Sequence, residues 1–202
     1  MDFSRRQSFS GRYGRYGQPS RNRPPGRINK IIIIALVLVT VSVFFWLYGR
    51  YWWQEKRWRY IVIHHTASDT GNLEYYREMH RKRGWPDIAY HFLINNGSLN
   101  TAMGQIQQSS LWEKRDINYS SRVSWVNYFG IAIGLVGNFE KHRVPPLQKE
   151  ALINLAAGLA ERYDIPPERI IGHREIQNTA CPGRFVNLNE VREAVRAVLN
   201  EK

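Results

Sequence analysis

The sequence predicts an α/β domain, a mixed central β-sheet flanked by helices, preceded by one N-terminal transmembrane helix. Three observations predict it. Ile31 to Tyr48 gives 18 consecutive uncharged residues; beyond Arg59 short β-like apolar runs alternate with amphipathic helical ones; and residues 60–202 contain neither a repeat nor a second core. A chain of 202 residues with a hydrophobic fraction of 43% and seven Trp can fill one packed core, and it is too short for two full domains.

Residues 1–30 are rich in Arg, Gly, Ser, Tyr and Pro without apolar periodicity, which predicts a basic, disordered cytoplasmic tail. The run 31–48, at about 1.5 Å per residue, makes a rod of roughly 27 Å, long enough to cross a bilayer. A buried core helix would show a polar face, and this run has none. A cleavable signal peptide ends in small residues, whereas here the run ends Phe44-Phe45-Trp46-Leu47-Tyr48, so the segment reads as an uncleaved signal-anchor. Eight Lys+Arg precede the span and four follow closely, which predicts a single-pass protein of the cytoplasmic (inner) membrane with its N-terminus in the cytoplasm and its C-terminal domain on the periplasmic, extracytoplasmic side. Tyr48, Tyr51, Trp52 and Trp53 would anchor the far interface, and residues 49–59 read as a juxtamembrane linker.

The formal charge of +12 is uneven: residues 1–59 carry 12 Lys+Arg against Asp2 and Glu55, and residues 60–202 carry 17 against 15. The basicity belongs to the arm, so no nucleic-acid partner is expected of the folded part.

Tyr60 to His65 is the first strand of the domain. Asn72 can cap a helix with Leu73, Tyr76, Met79 and His80 on one face, stopped by Gly84. Tyr90 to Asn95 reads as a strand before an Asn96-Gly97 turn, and Ile131 to Val136 as another. Pro145-Pro146 opens a helix with Leu152, Leu155, Ala156 and Leu159 at helical spacing. Arg169 to Gly172 is a short strand, and Asn189 can cap a last helix with Val191, Ala194, Val195 and Val198. Residues 100–130 carry the weakest pattern.

Candidate chemistry collects where strands end. His64 and His65 close the first strand, His173 follows Ile170-Ile171-Gly172, and Cys181, the only cysteine and therefore without an intrachain disulfide, lies in a Pro-Gly loop. Two imidazoles and one thiolate form a mixed nitrogen and sulfur set suited to Zn²⁺, with a fourth tetrahedral position left for water. Strand alternation sends His64 and His65 to opposite faces, so one of them is the ligand, and spacing does not choose which. The competing reading is a lone cysteine packed as a small hydrophobe beside structural histidines.

Four segments carry a resemblance: YIVIHHTAS at 60–68, HRKRGWPDIAYHFLI at 80–94, IAIGLVGNF at 131–139 and IGHREIQNTACPGRF at 171–185. Together, in order and spacing across essentially all of 60–202, they resemble the type 2 N-acetylmuramoyl-L-alanine amidases, whose fold is shared with peptidoglycan recognition proteins and a phage amidase called a lysozyme. The resemblance implies a zinc amidase acting on peptidoglycan or muropeptides, cutting the amide between the lactyl group of N-acetylmuramic acid and L-alanine. It selects His64, His173 and Cys181 as the zinc ligands and leaves His65 pointing away. Recognition proteins that bind without cutting often lack the cysteine.

Tyr90 matches the family's tyrosine beside the site, where its hydroxyl would orient the water or bond the developing oxyanion. Thr179 stands where some relatives have lysine and brings one hydrogen bond but no charge. Many relatives carry Gly-Ala-His where this chain has Tyr119-Ser120-Ser121, so substrate detail is not carried over to residues 105–125. Trp85 is a candidate to stack on sugar or peptide, core packing being its other reading. Glu175 is assigned to support or surface rather than catalysis. The alternative to the enzyme is a membrane-anchored peptidoglycan-binding or regulatory module of weak or absent turnover, suggested by the departures at Thr179 and at 119–121.

Overall fold

The computed structural model describes residues 27–201, so the tail expected over 1–30 lies, up to residue 26, outside the described residues. The chain divides between Leu47 and Tyr48. Helix α1, Arg27–Lys56, contains the uncharged run, and within it Asn29–Lys56 is long and apolar enough to cross a membrane. Side chains along the run are exposed all round, as an apolar helix without a polar face requires. From Tyr48 onward the stretch expected as a linker stays helical to Lys56 and then delivers Trp58, 1% exposed, into the domain core. Glu55 pairs there with Arg115 at 2.7 Å, and the Arg57 guanidinium donates to the Arg115 carbonyl at 2.8 Å.

The domain is built on five strands in the order β3-β2-β4-β1-β5. They are β1 (Tyr60–His65), β2 (Phe92–Asn96), β3 (Met103–Gln108), β4 (Gly130–Leu135) and β5 (Ile170–Gly172). β1 runs parallel to β4 and β5, β2 parallel to β4, and only β3 is antiparallel, on β2. Parallel strands covered on both faces read as continuous apolar runs, and β4 is buried throughout.

One face of the sheet, with Ile61, Ile63, Ile131, Ile133 and Leu135, packs on α5 (Pro146–Tyr163) and α6 (Leu188–Asn200) through Leu152, Ala156, Val191 and Val195. The other face carries Leu93 and Val136 against Tyr76 of α2 (Leu73–Arg81) and Ile88. The Asn72 side chain accepts the Tyr75 N–H at 2.9 Å and starts α2, as the sequence predicts; the helix ends at Arg81 with Lys82 as its cap, and Gly84 at φ +85° closes the turn that follows. The last helix begins earlier than expected. Its cap is Asn187, which accepts the Glu190 N–H at 3.3 Å, while Asn189 lies inside the first turn and bonds Arg192. The poorly patterned stretch 100–130 holds β3 and two short helices, α3 (Ser110–Glu113) and α4 (Ser124–Phe129).

Candidate metal centre

β1 ends on two adjacent histidines, and alternation parts them. His65 turns to the α5/α6 face, where its Nδ1 accepts the Phe139 N–H at 3.2 Å. His64 turns to the other face, 1% exposed, with its Nδ1 3.6 Å from the Cys181 Sγ and its ring centroid 4.7 Å from that of His173. β5 lies directly beside β1, so the chain leaving it delivers His173 in a short 3₁₀ turn, His173–Glu175, at the carboxyl ends of the parallel strands. The Arg174 N–H bonds the Cys181 carbonyl at 2.8 Å and folds the loop back to bring the thiol in. Among the described residues, one nitrogen or sulfur donor each from His64, His173 and Cys181 lies within 4.8 Å of the other two.

The donor set fits zinc in its spacing and in its neutral imidazoles, and the thiol must give up its proton to join them. Bonds of roughly 2.0 and 2.3 Å at a tetrahedral angle place a zinc-bound nitrogen and sulfur roughly 3.6 Å apart, and the His64 Nδ1 and Cys181 Sγ are 3.6 Å apart. Burial holds His64 neutral, well below the usual imidazole range, helped by His173 and His65, and burial lowers His173 as well. Burial also pushes the Cys181 thiol up to about 11, against the His65 N–H, 3.4 Å from Sγ, and Arg174. A thiol held protonated by its surroundings becomes a thiolate when a cation sits on it, and neutral imidazoles are what a cation needs.

These groups open into a cleft of about 470 Å³ also lined by Tyr90, Ser120, Asn138, Glu140 and Thr179. Tyr90 stands with its ring 5.3 Å from His64, and burial, with Cys181 and Tyr76, raises its phenol above the usual range, so it stays protonated. Its place depends on Gly134, the register partner of His64 on β4: a Cβ there would lie 2.7 Å from the Tyr90 ring. Sequence reasoning missed Gly134, although a glycine inside a buried strand signals close approach of another group. The Thr179 hydroxyl accepts the Cys181 N–H at 3.3 Å, tying this residue to the orientation of the thiol.

Gln177, also missed, accepts from the His173 ring at 3.2 Å. Glu175 accepts the Gly172 N–H at 2.6 Å and pairs with Arg192 at 2.8 Å, so it braces the turn that carries His173. Trp85 does not line this cleft; its ring packs edge-on against His80 at 4.8 Å.

A family model described as N-acetylmuramoyl-L-alanine amidase matches residues 54–184. Peptidoglycan recognition protein 1 of Bos taurus is 33% identical over 138 residues, which cover 62% of this chain and 66% of that protein. Among solved structures, the N-acetylmuramoyl-L-alanine amidase LysC from Clostridium intestinale is similar at 27% identity and a TM-score of 0.60, covering 71% of this chain and 88% of its own. Drosophila PGRP-LB is similar at 25% identity and a TM-score of 0.51, covering 65% and 78%.

Proposed function

This chain belongs to the N-acetylmuramoyl-L-alanine amidase family, and from that premise we propose that it is a zinc-dependent amidase that hydrolyses the bond between the lactyl group of N-acetylmuramic acid and the L-alanine of peptidoglycan stem peptides. The observation that carries the reading is the convergence of His64, His173 and Cys181. Two histidines and a cysteine leave one tetrahedral position open, the catalytic rather than the closed structural arrangement. A zinc ion bound there supplies a Lewis acid and acidifies a water to a pKa of about 7.

The chain's own residues do the rest. Tyr90, protonated and beside His64, orients the attacking water by accepting a hydrogen bond from it, or donates its phenolic hydrogen to the oxygen of the scissile carbonyl as charge gathers on it. Thr179 keeps its hydroxyl hydrogen free to donate, because its oxygen is the acceptor in the bond to the Cys181 N–H. Glu140 and Asn138 line the cleft and offer polar partners to the substrate. Trp85 lies off this cleft and is proposed only for a more distant part of the substrate.

α1 holds this domain at the cytoplasmic membrane as a single-pass anchor, N-terminus in the cytoplasm and domain outside, where polymeric wall is within reach. The contrast of eight basic residues before the run and four after supports that orientation. A reporter phosphatase fused to the C-terminus is active in this topology; an inactive fusion at normal expression reverses it.

The full chain in detergent binds one zinc and releases L-alanine-terminated peptides from muropeptides, detected by mass. Cys181→Ser loses both, with a fall in zinc affinity beyond the about 10–100-fold typical of groups outside the ligand set. Stoichiometric zinc lost with Cys181, but no cleavage across several muropeptides, favours the binding module, for which the uncharged Thr179 is the motive. Absence of zinc from the wild-type chain defeats the ligand assignment.

A further inference from the structure

Gln177 lies outside the ligand set, yet its side-chain oxygen is where three donors meet. The Arg122 backbone N–H reaches Oε1 at 3.1 Å, the Ser121 hydroxyl at 3.2 Å and the His173 Nε2 at 3.2 Å. An amide can be turned end for end, but a backbone N–H only donates, so the atom facing Arg122 is the oxygen. That oxygen only accepts. The His173 Nε2 therefore carries the hydrogen, and its Nδ1 keeps the lone pair.

We propose that Gln177 is a positioning residue that locks His173 in the Nε2–H tautomer with Nδ1 turned to the metal, and at the same atom pins the loop 120–122, whose Ser120 lines the cleft. The proposal rests on the zinc reading above. It extends that reading to a physical link between ligand orientation and groove shape, because Ser120 lines the cleft and its neighbours Ser121 and Arg122 end on Gln177. Ligand imidazoles are commonly fixed through their second nitrogen, and losing that contact weakens the metal about 10–100-fold.

Asn127 also holds the loop, accepting the Ser121 N–H at 3.1 Å and donating to the Ser121 carbonyl at 2.7 Å. Removing Gln177 therefore loosens the loop without unfolding it.

The test uses the full chain in detergent micelles with ¹⁵N-labelled histidine, as wild type, Gln177→Ala and Gln177→Glu. In the zinc-free wild type the His173 ring shows the Nε2–H pattern of long-range couplings; in Gln177→Ala it becomes a mixture of tautomers. Zinc affinity by chelator competition falls about 10–100-fold in Gln177→Ala and is retained in Gln177→Glu, which keeps an acceptor oxygen. Trypsin cuts after Arg122 faster in Gln177→Ala. An unchanged tautomer, or zinc affinity within twofold of wild type, overturns the proposal. A wild-type chain that holds the Nε2–H tautomer but takes up no zinc defeats the zinc reading and leaves the orienting contact standing.

Discussion

His64 and His91 are both buried, at 1% and 0% exposure, yet the protein uses them in opposite ways. His91 is closed: its Nδ1 accepts the Ala132 N–H and its Nε2 donates to the Asp116 carbonyl, each at 3.0 Å, inside a cage with Trp58 and Trp112. His64 is open. Its Nε2 has no partner, and its Nδ1 faces a thiol. An unpartnered nitrogen is not in itself the mark of a site, since the Trp58 Nε1 beside His91 has none either. The difference that matters is convergence: three donors from distant parts of the chain turn toward one point at the strand ends, whereas both ring nitrogens of His91 are taken up by backbone groups.

That contrast places the larger loss of stability at His91 and not at the site. His91→Ala leaves the Ala132 N–H and the Asp116 carbonyl without their partner and opens a cavity beside two tryptophans, a loss of about 3 kcal/mol or more. Chemical unfolding of the full chain measures it, and zinc stoichiometry stays at wild type in whatever fraction folds. A zinc deficit in the folded fraction would erase the distinction.

Acid probes the same pair of contacts. Burial lowers His91 to about 4, and His80, whose Nδ1 accepts the Ala89 N–H at 3.0 Å, is lowered to about 4 as well. Between pH 6.5 and 4 the unfolded chain binds protons that these folded rings refuse, so stability falls as pH drops, by about 1.4 kcal/mol per unit for each such ring in mid-window. His91→Gln flattens that slope by one ring's share and leaves the shares of His80 and the other buried rings. An equal slope in both chains would show that His91 titrates freely in the fold.

The sequence exposed the elements that hold the site and hid several contacts that shape it. β1, α2, β4 and α5 announce themselves because parallel strands are continuously apolar and the helices carry caps or an opening proline. The candidate metal-binding histidines were legible because His64 sits at the end of one readable strand and His173 directly after another. Alternation parted His64 from His65 but only the resemblance chose between them, and Cys181, in a loop beyond β5, stood out as the single cysteine. β3, with the sequence MGQIQQ, is an edge strand largely exposed, so it carries no alternation and is specified by its pairing with β2. Asn187 rather than Asn189 caps α6 because either asparagine suits a cap and only the chain's path chooses. Gly134 was hidden because Tyr90 faces it across the sheet, and Gln177 because its link to Ser121 spans 56 positions, while its nearer contact with His173 carries no pattern that periodicity can read.

Gly134 offers a gentler probe. Gly134→Ala puts a methyl 2.7 Å from the Tyr90 ring, and accommodating it costs about 1–3 kcal/mol and displaces the ring. Turnover on muropeptide drops while zinc remains bound, because His64 keeps its own contacts. In a chain already carrying Tyr90→Ala, Gly134→Ala costs little further stability; an equal cost in both backgrounds would place the strain elsewhere on β4.

The smallest effect concerns the backbone just beyond His64 and His65. Ala67, which lines the cleft, sits at φ 56°, a conformation that costs an L-residue about 1–2 kcal/mol and glycine almost nothing. Its neighbours hold it there: Thr66 donates to the Ser68 carbonyl at 3.0 Å and accepts the Gly137 N–H at 3.1 Å, and Ser68 bridges to Gly137. Ala67→Gly removes the strain but frees the unfolded chain, by about 0.4–1 kcal/mol, so the net gain is between about 0 and 1.6 kcal/mol. The expected outcome is a slightly higher unfolding midpoint with zinc retained and turnover reduced no more than severalfold. A destabilised variant would mean that the contacts around Thr66 and Ser68 already relieve the backbone, and that the site's edge is set by hydrogen bonding alone.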